Sequence, residues 1–131
     1  MGPLTSFLCD TDILVDFLRA YKPAVAHLKT HANHIVISAM TVAELYAGVR
    51  DDDESQELAE LLLLFPVLPV DGNIARLGGL YNRDYFSSHG VGLADALIAA
   101  TAQLNGAVLQ TLNVKHFPMF PGIKAPYSRS V

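Results

Sequence analysis

The sequence predicts an α/β fold in which a central parallel sheet of about five strands is sandwiched by helices. Short β-branched or apolar runs alternate with segments whose apolar residues recur at helical spacing. Such alternation implies right-handed crossovers between parallel strands, with helices on both faces of the sheet. The chain has 131 residues and no repeat, low-complexity tract or Ser/Gly-rich linker. We therefore expect a single domain over residues 1–131.

The first half of the chain alternates strands with amphipathic helices. The predicted elements are a strand at Leu4 to Asp10, helices at Ile13 to Ala20 and Pro23 to about His31, a strand at His34 to Ser38 and a helix at Met40 to Val49. Pro23 suits the first turn of a helix, where its missing N–H costs nothing. His34 to Ser38 (HIVIS) is a β-branched run of the kind that forms a buried strand.

The second half repeats the alternation. The predicted elements are a helix at Ser55 to Phe65, strands at Val67 to Val70 and Ala107 to Thr111, helices from Asp71 to about Phe86 and from Leu93 to Leu104, and a short edge strand around Ile123. Asp71 is a suitable N-cap, and Asn105-Gly106 is typical of a helix end. The acidic run Asp51 to Glu54 is predicted to form a solvated helix start.

Composition excludes some classes of protein. The longest apolar run, Leu61 to Val70, is too short to cross a bilayer and contains two prolines. No Lys or Arg precedes the first apolar residues, so no secretory signal is expected. Cys9 is the one cysteine, which agrees with a reducing compartment. We expect a cytoplasmic protein, and its net charge of −4 argues against charge-driven binding to nucleic acid.

The chain is unusually apolar for its size, with 51% hydrophobic and 17% charged residues. A small domain has much surface, so surplus apolar residues are expected at an interface with another chain. Leu61 to Phe65 is apolar all round a helical turn. One side is predicted to pack on the sheet and the other on a partner, the alternative being a fully buried helix.

Three carboxylates fall where the ligand crevice of a parallel sheet is expected. Asp10 follows the first strand, Glu44 lies early in the helix after the second, and Asp95 lies in the first turn of the Leu93 helix. Converging carboxylates repel one another unless a cation lies between them. Oxygen ligands without paired His or Cys favour Mg²⁺ or Mn²⁺. Such an ion acts on phosphate groups, so phosphodiester chemistry is predicted.

Each acidic residue also has a purely structural interpretation. Asp10 and Asp12 are suitable helix caps, and Asp95 suits the dipole of its helix. Thr41 and Glu44 have the spacing of a capping box, which would occupy the Glu44 carboxylate. Asp16 and Arg19 are spaced for a solvated helical ion pair.

Taken together, these segments resemble the PIN-domain ribonucleases, and within them the VapC-type toxins of prokaryotic toxin-antitoxin systems. The matching segments are Cys9 to Asp16 (CDTDILVD), Ile37 to Gly48 (ISAMTVAELYAG), Leu93 to Ala102 (LADALIAATA) and Leu109 to Phe117 (LQTLNVKHF). No single segment is specific, but they occur in the family order and span nearly the whole chain.

The resemblance implies the PIN fold, a five-stranded parallel sheet between helices, with an acidic Mg²⁺ or Mn²⁺ site that cuts RNA. The family acids correspond to Asp10, Glu44 and Asp95. Asp12 stands where the family often has Asn, and Asn113 stands where a fourth acid is expected. The resemblance further implies a small VapB-type antitoxin, which often inserts an Arg into the acidic pocket, and a homodimer.

On this hypothesis Asp10 and Asp95 bind the metal, with Glu44 directly or through water. Thr11, Asp12 and Thr111 support the site, and Asn113 orients a water or a phosphate. Candidate contacts to the RNA backbone are Arg19, Lys22, Arg50 and Lys115.

Two other functions stay open. Asp10-Thr11-Asp12 also resembles the opening of haloacid-dehalogenase phosphatases, in which the first Asp is phosphorylated, although no paired acids follow the later strand. A receiver-like, non-enzymatic module would use Asp10 and Asp12 with Lys115. Such a module needs a central strand that ends in an acceptor Asp, whereas the third predicted strand ends at Val70, beside the helix cap Asp71.

Overall fold

The computed structural model describes residues 5–129, so Leu4 of the first predicted strand lies outside the described residues. A sheet of four parallel strands has the order β3-β2-β1-β4. The strands are β1 (Phe7–Cys9), β2 (Ile35–Ser38), β3 (Val67–Leu68) and β4 (Val108–Gln110). The helices are α1 (Thr11–Leu18), α2 (Lys22–Thr30), α3 (Ala39–Ala47), α4 (Asp52–Leu62), α5 (Gly72–His89) and α6 (Leu93–Leu104), with short 3-10 helices at Ala32–His34 and Val114–His116.

The central strand β1 places apolar side chains on both faces of the sheet. Successive residues of a strand point to opposite faces, and Leu8 and Cys9 accordingly belong to two different buried clusters. Cys9 packs with residues of α1, α2 and β2, and Leu8 packs with residues of α6 and β4. These two layers confirm the predicted α/β sandwich.

The predicted fifth strand around Ile123 is wrong, because residues 5–129 contain four strands. The segment instead forms successive turns, in which the Phe120 N–H donates to the Phe117 carbonyl at 3.0 Å and the Ile123 N–H donates to the Phe120 carbonyl at 3.3 Å. Pro118 and Pro121 have no N–H to donate to a neighbouring strand. Local turns therefore satisfy the backbone that a sheet edge would otherwise use.

Caps and one close contact set the helix positions. Asp51 accepts a hydrogen bond from the Glu54 N–H at 2.9 Å, so α4 begins before the predicted Ser55. Helix α5 continues to His89 and ends at Gly90, whose φ of 67° favours glycine. At Gly78, a Cβ atom would lie 2.6 Å from Leu97 Cδ2 and 3.2 Å from Leu97 Cα. This glycine therefore lets α5 approach α6, the helix that carries Asp95.

The apolar segment after α4 divides between core and surface. Leu61 and Phe65 are buried, whereas Leu63 and Leu64 are 86% and 63% exposed. The alternative of a fully buried helix is therefore wrong, and coverage of Leu63 and Leu64 by another chain stays a prediction. Among residues 5–129, no helix is both long and apolar enough to span a bilayer.

Candidate active site

The carboxyl edge of the sheet brings the predicted acidic residues to one cavity of about 300 Å³. Its lining consists of Asp10, Thr11, Asp12, Val15, Glu44, Asp95, Asn113 and Arg129. Asp10 follows β1, Glu44 lies on α3 and Asp95 lies in the first turn of α6. Residues far apart in sequence meet here because parallel strands end at the same edge.

Asp10 is both a helix cap and a member of this acidic cavity. Its Oδ1 accepts a hydrogen bond from the Thr11 N–H at 2.8 Å, and its Oδ2 accepts one from the Thr111 hydroxyl at 2.7 Å. Its side chain is buried, and each bound oxygen retains a further lone pair. The structural and functional interpretations of Asp10 are therefore compatible.

Burial, followed by the negative charge of Asp12, raises the pKa of Asp10 to about 7, against the lowering effect of the two hydrogen bonds. Burial also raises the pKa of Asp12, although the Leu112 N–H, which donates to Asp12 Oδ2 at 2.9 Å, lowers it in part. Asp12 Oδ1 is buried without a hydrogen-bond partner within the described part of the chain. An unpartnered buried carboxylate oxygen is costly unless a cation or water binds it.

The Glu44 carboxylate of α3 accepts a hydrogen bond from a threonine of α1 and does not cap its own helix. The Thr11 hydroxyl donates to Glu44 Oε1 at 2.7 Å and lies 3.1 Å from the Thr41 hydroxyl. The N-cap of α3 is Ser38, whose hydroxyl accepts from the Met40 N–H at 3.0 Å. The proposed capping box between Thr41 and Glu44 is therefore wrong, and the Glu44 carboxylate faces the cavity.

Asp95 is half-buried and lies beside a histidine that the sequence analysis did not include in the site. His116 Nδ1 lies 3.4 Å from Asp95 Oδ2. Burial raises the pKa of Asp95, and His116 lowers it in part. The sequence signal for His116 is its position in the segment that follows β4, in the 3-10 helix after Asn113.

The four basic residues predicted to contact RNA lie in different parts of the structure. Arg19 and Lys22 line one cavity of about 600 Å³. Arg50 forms an ion pair with Glu54 on α4, and Lys115 is exposed in the 3-10 helix after Asn113. Arg129 lines both the acidic cavity and the Arg19–Lys22 cavity, and the sequence analysis missed it.

Asp16 does not form the predicted surface pair with Arg19. It is 6% exposed, and its carboxylate accepts from Arg129 Nε at 3.0 Å, from Arg129 Nη2 at 2.9 Å and from the Tyr127 hydroxyl at 2.8 Å. The bidentate geometry is that of a strong charge-assisted pair. The partner lies 113 residues away in sequence, so no helical spacing could reveal it.

The acidic cavity suits a hard divalent cation by donor chemistry. Its carboxylates are oxygen ligands, and one buried oxygen of Asp12 is unpartnered. Within residues 5–129, no three His, Cys, Asp or Glu side chains are already gathered as ligands around one point.

Comparisons with known proteins agree with this α/β fold. The family model described as "PIN domain" matches residues 7–117. Ribonuclease VapC19 of Mycobacterium tuberculosis is 44% identical over 127 residues, covering 92% of this chain and 98% of that protein. Ribonuclease VapC10 of the same species is 41% identical over 124 residues, covering 92% of each chain.

A solved structure extends the likeness to three dimensions. One chain of a toxin-antitoxin complex from Klebsiella pneumoniae superposes with a TM-score of 0.81 at 30% identity, covering 95% of this chain and all of that one. The match over almost all of the described residues excludes the phosphatase and receiver alternatives, which require other folds.

Proposed function

The chain belongs to the PIN-domain family, and we propose that it is a metal-dependent endoribonuclease of the VapC type that hydrolyses RNA phosphodiester bonds. The observation that carries this proposal is the pair formed by buried Asp10 and half-buried Asp12 at the sheet edge. One oxygen of this pair is unpartnered, and Glu44 and Asp95 line the same cavity. A cation bound among these carboxylates would relieve their repulsion at neutral pH, and a cation held by carboxylates recruits phosphate.

Asp10 and Asp95 are proposed to hold Mg²⁺ or Mn²⁺, with Glu44 binding it directly or through water. The bound ion would polarise a phosphate oxygen and favour hydroxide as the nucleophile. The Thr11 hydroxyl fixes Glu44, and the Thr111 hydroxyl fixes Asp10, so both carboxylates are oriented before substrate arrives. Asn113 lines the cavity with an exposed amide side chain suited to orienting a phosphate. The expected products carry a 5′-phosphate and a 3′-hydroxyl.

The proposal includes partners. The Klebsiella relative is part of a toxin-antitoxin complex, and we extend this to a small VapB-type antitoxin for this cytoplasmic chain. Several large apolar side chains are exposed, among them Leu63, Leu64, Phe86 and Leu93. A homodimer and an antitoxin would remove this apolar surface from water.

The test is cleavage of total RNA with Mn²⁺ or Mg²⁺ by the purified chain and by Asp95→Asn and Glu44→Gln. We expect cleavage by the wild type and almost none by either variant. Asp84→Asn is the matched control, because it removes an exposed carboxylate of α5 that pairs with Arg83. Equal cleavage by all four proteins, or none by the wild type with either metal, would contradict the proposal.

A further inference from the structure

A second cavity of about 600 Å³ adjoins the acidic one, and its charged lining has the opposite predominant sign. It is formed by the loop between α1 and α2 together with the C-terminal segment. Three cationic residues line it, Arg19, Lys22 and Arg129, with Asp16 as the one acidic lining residue. We call it the basic cavity.

Arg129 links the two cavities, since its side chain lines both. Its Nε and Nη2 atoms donate to the two oxygens of Asp16, which uses two of the five N–H donors of a guanidinium. The side chain is 53% exposed. A guanidinium in this position has donors and charge available for a second anion.

The C-terminal segment that carries Arg129 is fastened to the rest of the fold. The Tyr127 hydroxyl donates to Asp16 Oδ2 at 2.8 Å, and the Tyr21 hydroxyl donates to the Ser128 carbonyl at 3.3 Å. The rings of Tyr21 and Tyr127 lie 5.9 Å apart between centroids. These contacts hold the Arg129 guanidinium in place, which lowers the entropy that binding would otherwise cost.

We propose that Arg129, oriented by Asp16, binds the RNA backbone phosphate adjacent to the scissile one, and that Arg19 and Lys22 bind the strand as it continues through the basic cavity. This inference rests on the proposed ribonuclease function. Beyond the cation, the carboxylates of the acidic cavity repel the phosphates of an RNA strand, whereas the adjoining basic cavity attracts them. Contacts to phosphate fix the position and direction of a strand without reading its bases. Arg129 thus sets the register in which RNA crosses the site.

The alternative role of Arg129 is purely structural, as the counter-ion of buried Asp16. The two roles differ in their dependence on salt. A residue that neutralises one phosphate of single-stranded RNA contributes about 0.7 to the slope of log affinity against log salt concentration. A residue that only stabilises the fold leaves that slope unchanged.

The experiment measures KM and kcat for a fluorescent single-stranded oligoribonucleotide with Mn²⁺ over a series of KCl concentrations. The variants are Arg129→Ala, Arg129→Lys and the control Arg83→Ala, which removes the same charge from exposed α5. For Arg129→Ala we expect KM to rise about tenfold, kcat to change little, and the salt slope to fall by about 0.7. Arg129→Lys should keep the slope with a smaller rise in KM, because it keeps the charge but not the fork geometry.

An Arg129→Ala variant with the KM and salt slope of Arg83→Ala, while the wild type cleaves RNA, would overturn this inference and leave the proposed function intact. If the wild type cleaves no RNA, the proposed function fails. Fluorescence anisotropy of the same RNA in EDTA then tests the phosphate site of Arg129 by binding alone. Tighter and more salt-sensitive binding by the wild type than by Arg129→Ala would support the phosphate site. Equal binding, or no binding, would overturn it.

Discussion

Helix α1 has buried carboxylates at both ends, and their surroundings differ. Asp10, at its N-cap, is 4% exposed, and Asp16, near its end, is 6% exposed, so burial does not distinguish them. Asp16 has an arginine and a tyrosine hydroxyl as partners. Asp10 has a threonine hydroxyl, a backbone N–H and a second carboxylate, Asp12, as a neighbour. Asp16 is paired with a cationic side chain, whereas Asp10 has no cationic side chain among its hydrogen-bond partners within residues 5–129.

This difference supports our proposal that the charge of Asp16 is structural and that of Asp10 is functional. A buried ion pair with satisfied hydrogen bonds holds two segments together, here α1 and the C-terminal segment. A buried carboxylate next to another carboxylate destabilises the fold unless something positive binds there. The chain retains this unfavourable arrangement at the same sheet edge as Glu44 and Asp95, which supports our proposal of a cation site there.

The largest expected contrast is in catalysis. Asp10→Asn should lower kcat for RNA cleavage at least about 100-fold, since several kcal/mol of transition-state stabilisation depend on the bound metal. Asp16→Asn should leave kcat within about threefold, because it acts on substrate binding through Arg129 and raises KM instead. Steady-state kinetics of both variants with Mn²⁺ measure the contrast. Similar kcat values for the two variants would remove the distinction between the two ends of α1.

The next contrast is in the pH dependence of stability without metal. The folded-state pKa of Asp10, about 7, lies above its ordinary value of 3.8, so the folded protein binds the extra proton between these values. The free energy of unfolding in EDTA should therefore fall as pH rises from about 4 to about 7. Raised pKa values of Asp12 and Asp95 act in the same direction.

Asp10→Asn should flatten this fall and make the metal-free protein more stable than the wild type at pH 8. Urea unfolding followed by circular dichroism at several pH values measures both effects. Wild-type stability that rises over this pH range, with no change in slope in Asp10→Asn, would show that neither burial nor the Asp12 charge raises the pKa of Asp10.

The smallest contrast concerns the neutralised carboxylate. Asp16→Asn should lower the free energy of unfolding by about 1–3 kcal/mol, because it weakens charge-assisted hydrogen bonds to Arg129. Tyr127→Phe, which removes one neutral donor to Asp16, should cost about 1 kcal/mol. Denaturant unfolding at neutral pH measures both, and stability equal to the wild type in both variants would make the Asp16 cluster energetically unimportant.

The sequence was sufficient to predict the alternation of strands and helices and the location of the acidic cavity. Both depend on local patterns, since Asp10 and Thr111 directly follow apolar strands and Asp95 opens an apolar helix. Parallel strands then place those positions together. The prediction of a fifth strand is wrong because local turns at Phe120 and Ile123 satisfy the backbone in place of sheet pairing. The number of apolar residues in a segment does not show which of the two will form.

Side-chain partners could not be predicted in the same way. The spacing of Asp16 and Arg19 suggested a local pair, but Arg129 at the other end of the chain binds Asp16 instead. The spacing of Thr41 and Glu44 suggested a capping box, but Ser38 caps the helix and Thr11 binds Glu44. Tertiary contacts decide such pairings, and helical spacing describes only one of the two surfaces involved.

The most direct test of the central claim is thermal unfolding with and without Mn²⁺ of the wild type, Asp10→Asn and Asp16→Asn. A ligand that binds only the folded state at 100 times its Kd adds about 2.7 kcal/mol to the free energy of unfolding. We predict a gain of this order for the wild type and for Asp16→Asn, and none for Asp10→Asn. No gain in the wild type, or an equal gain in Asp10→Asn, would contradict a metal site built on Asp10.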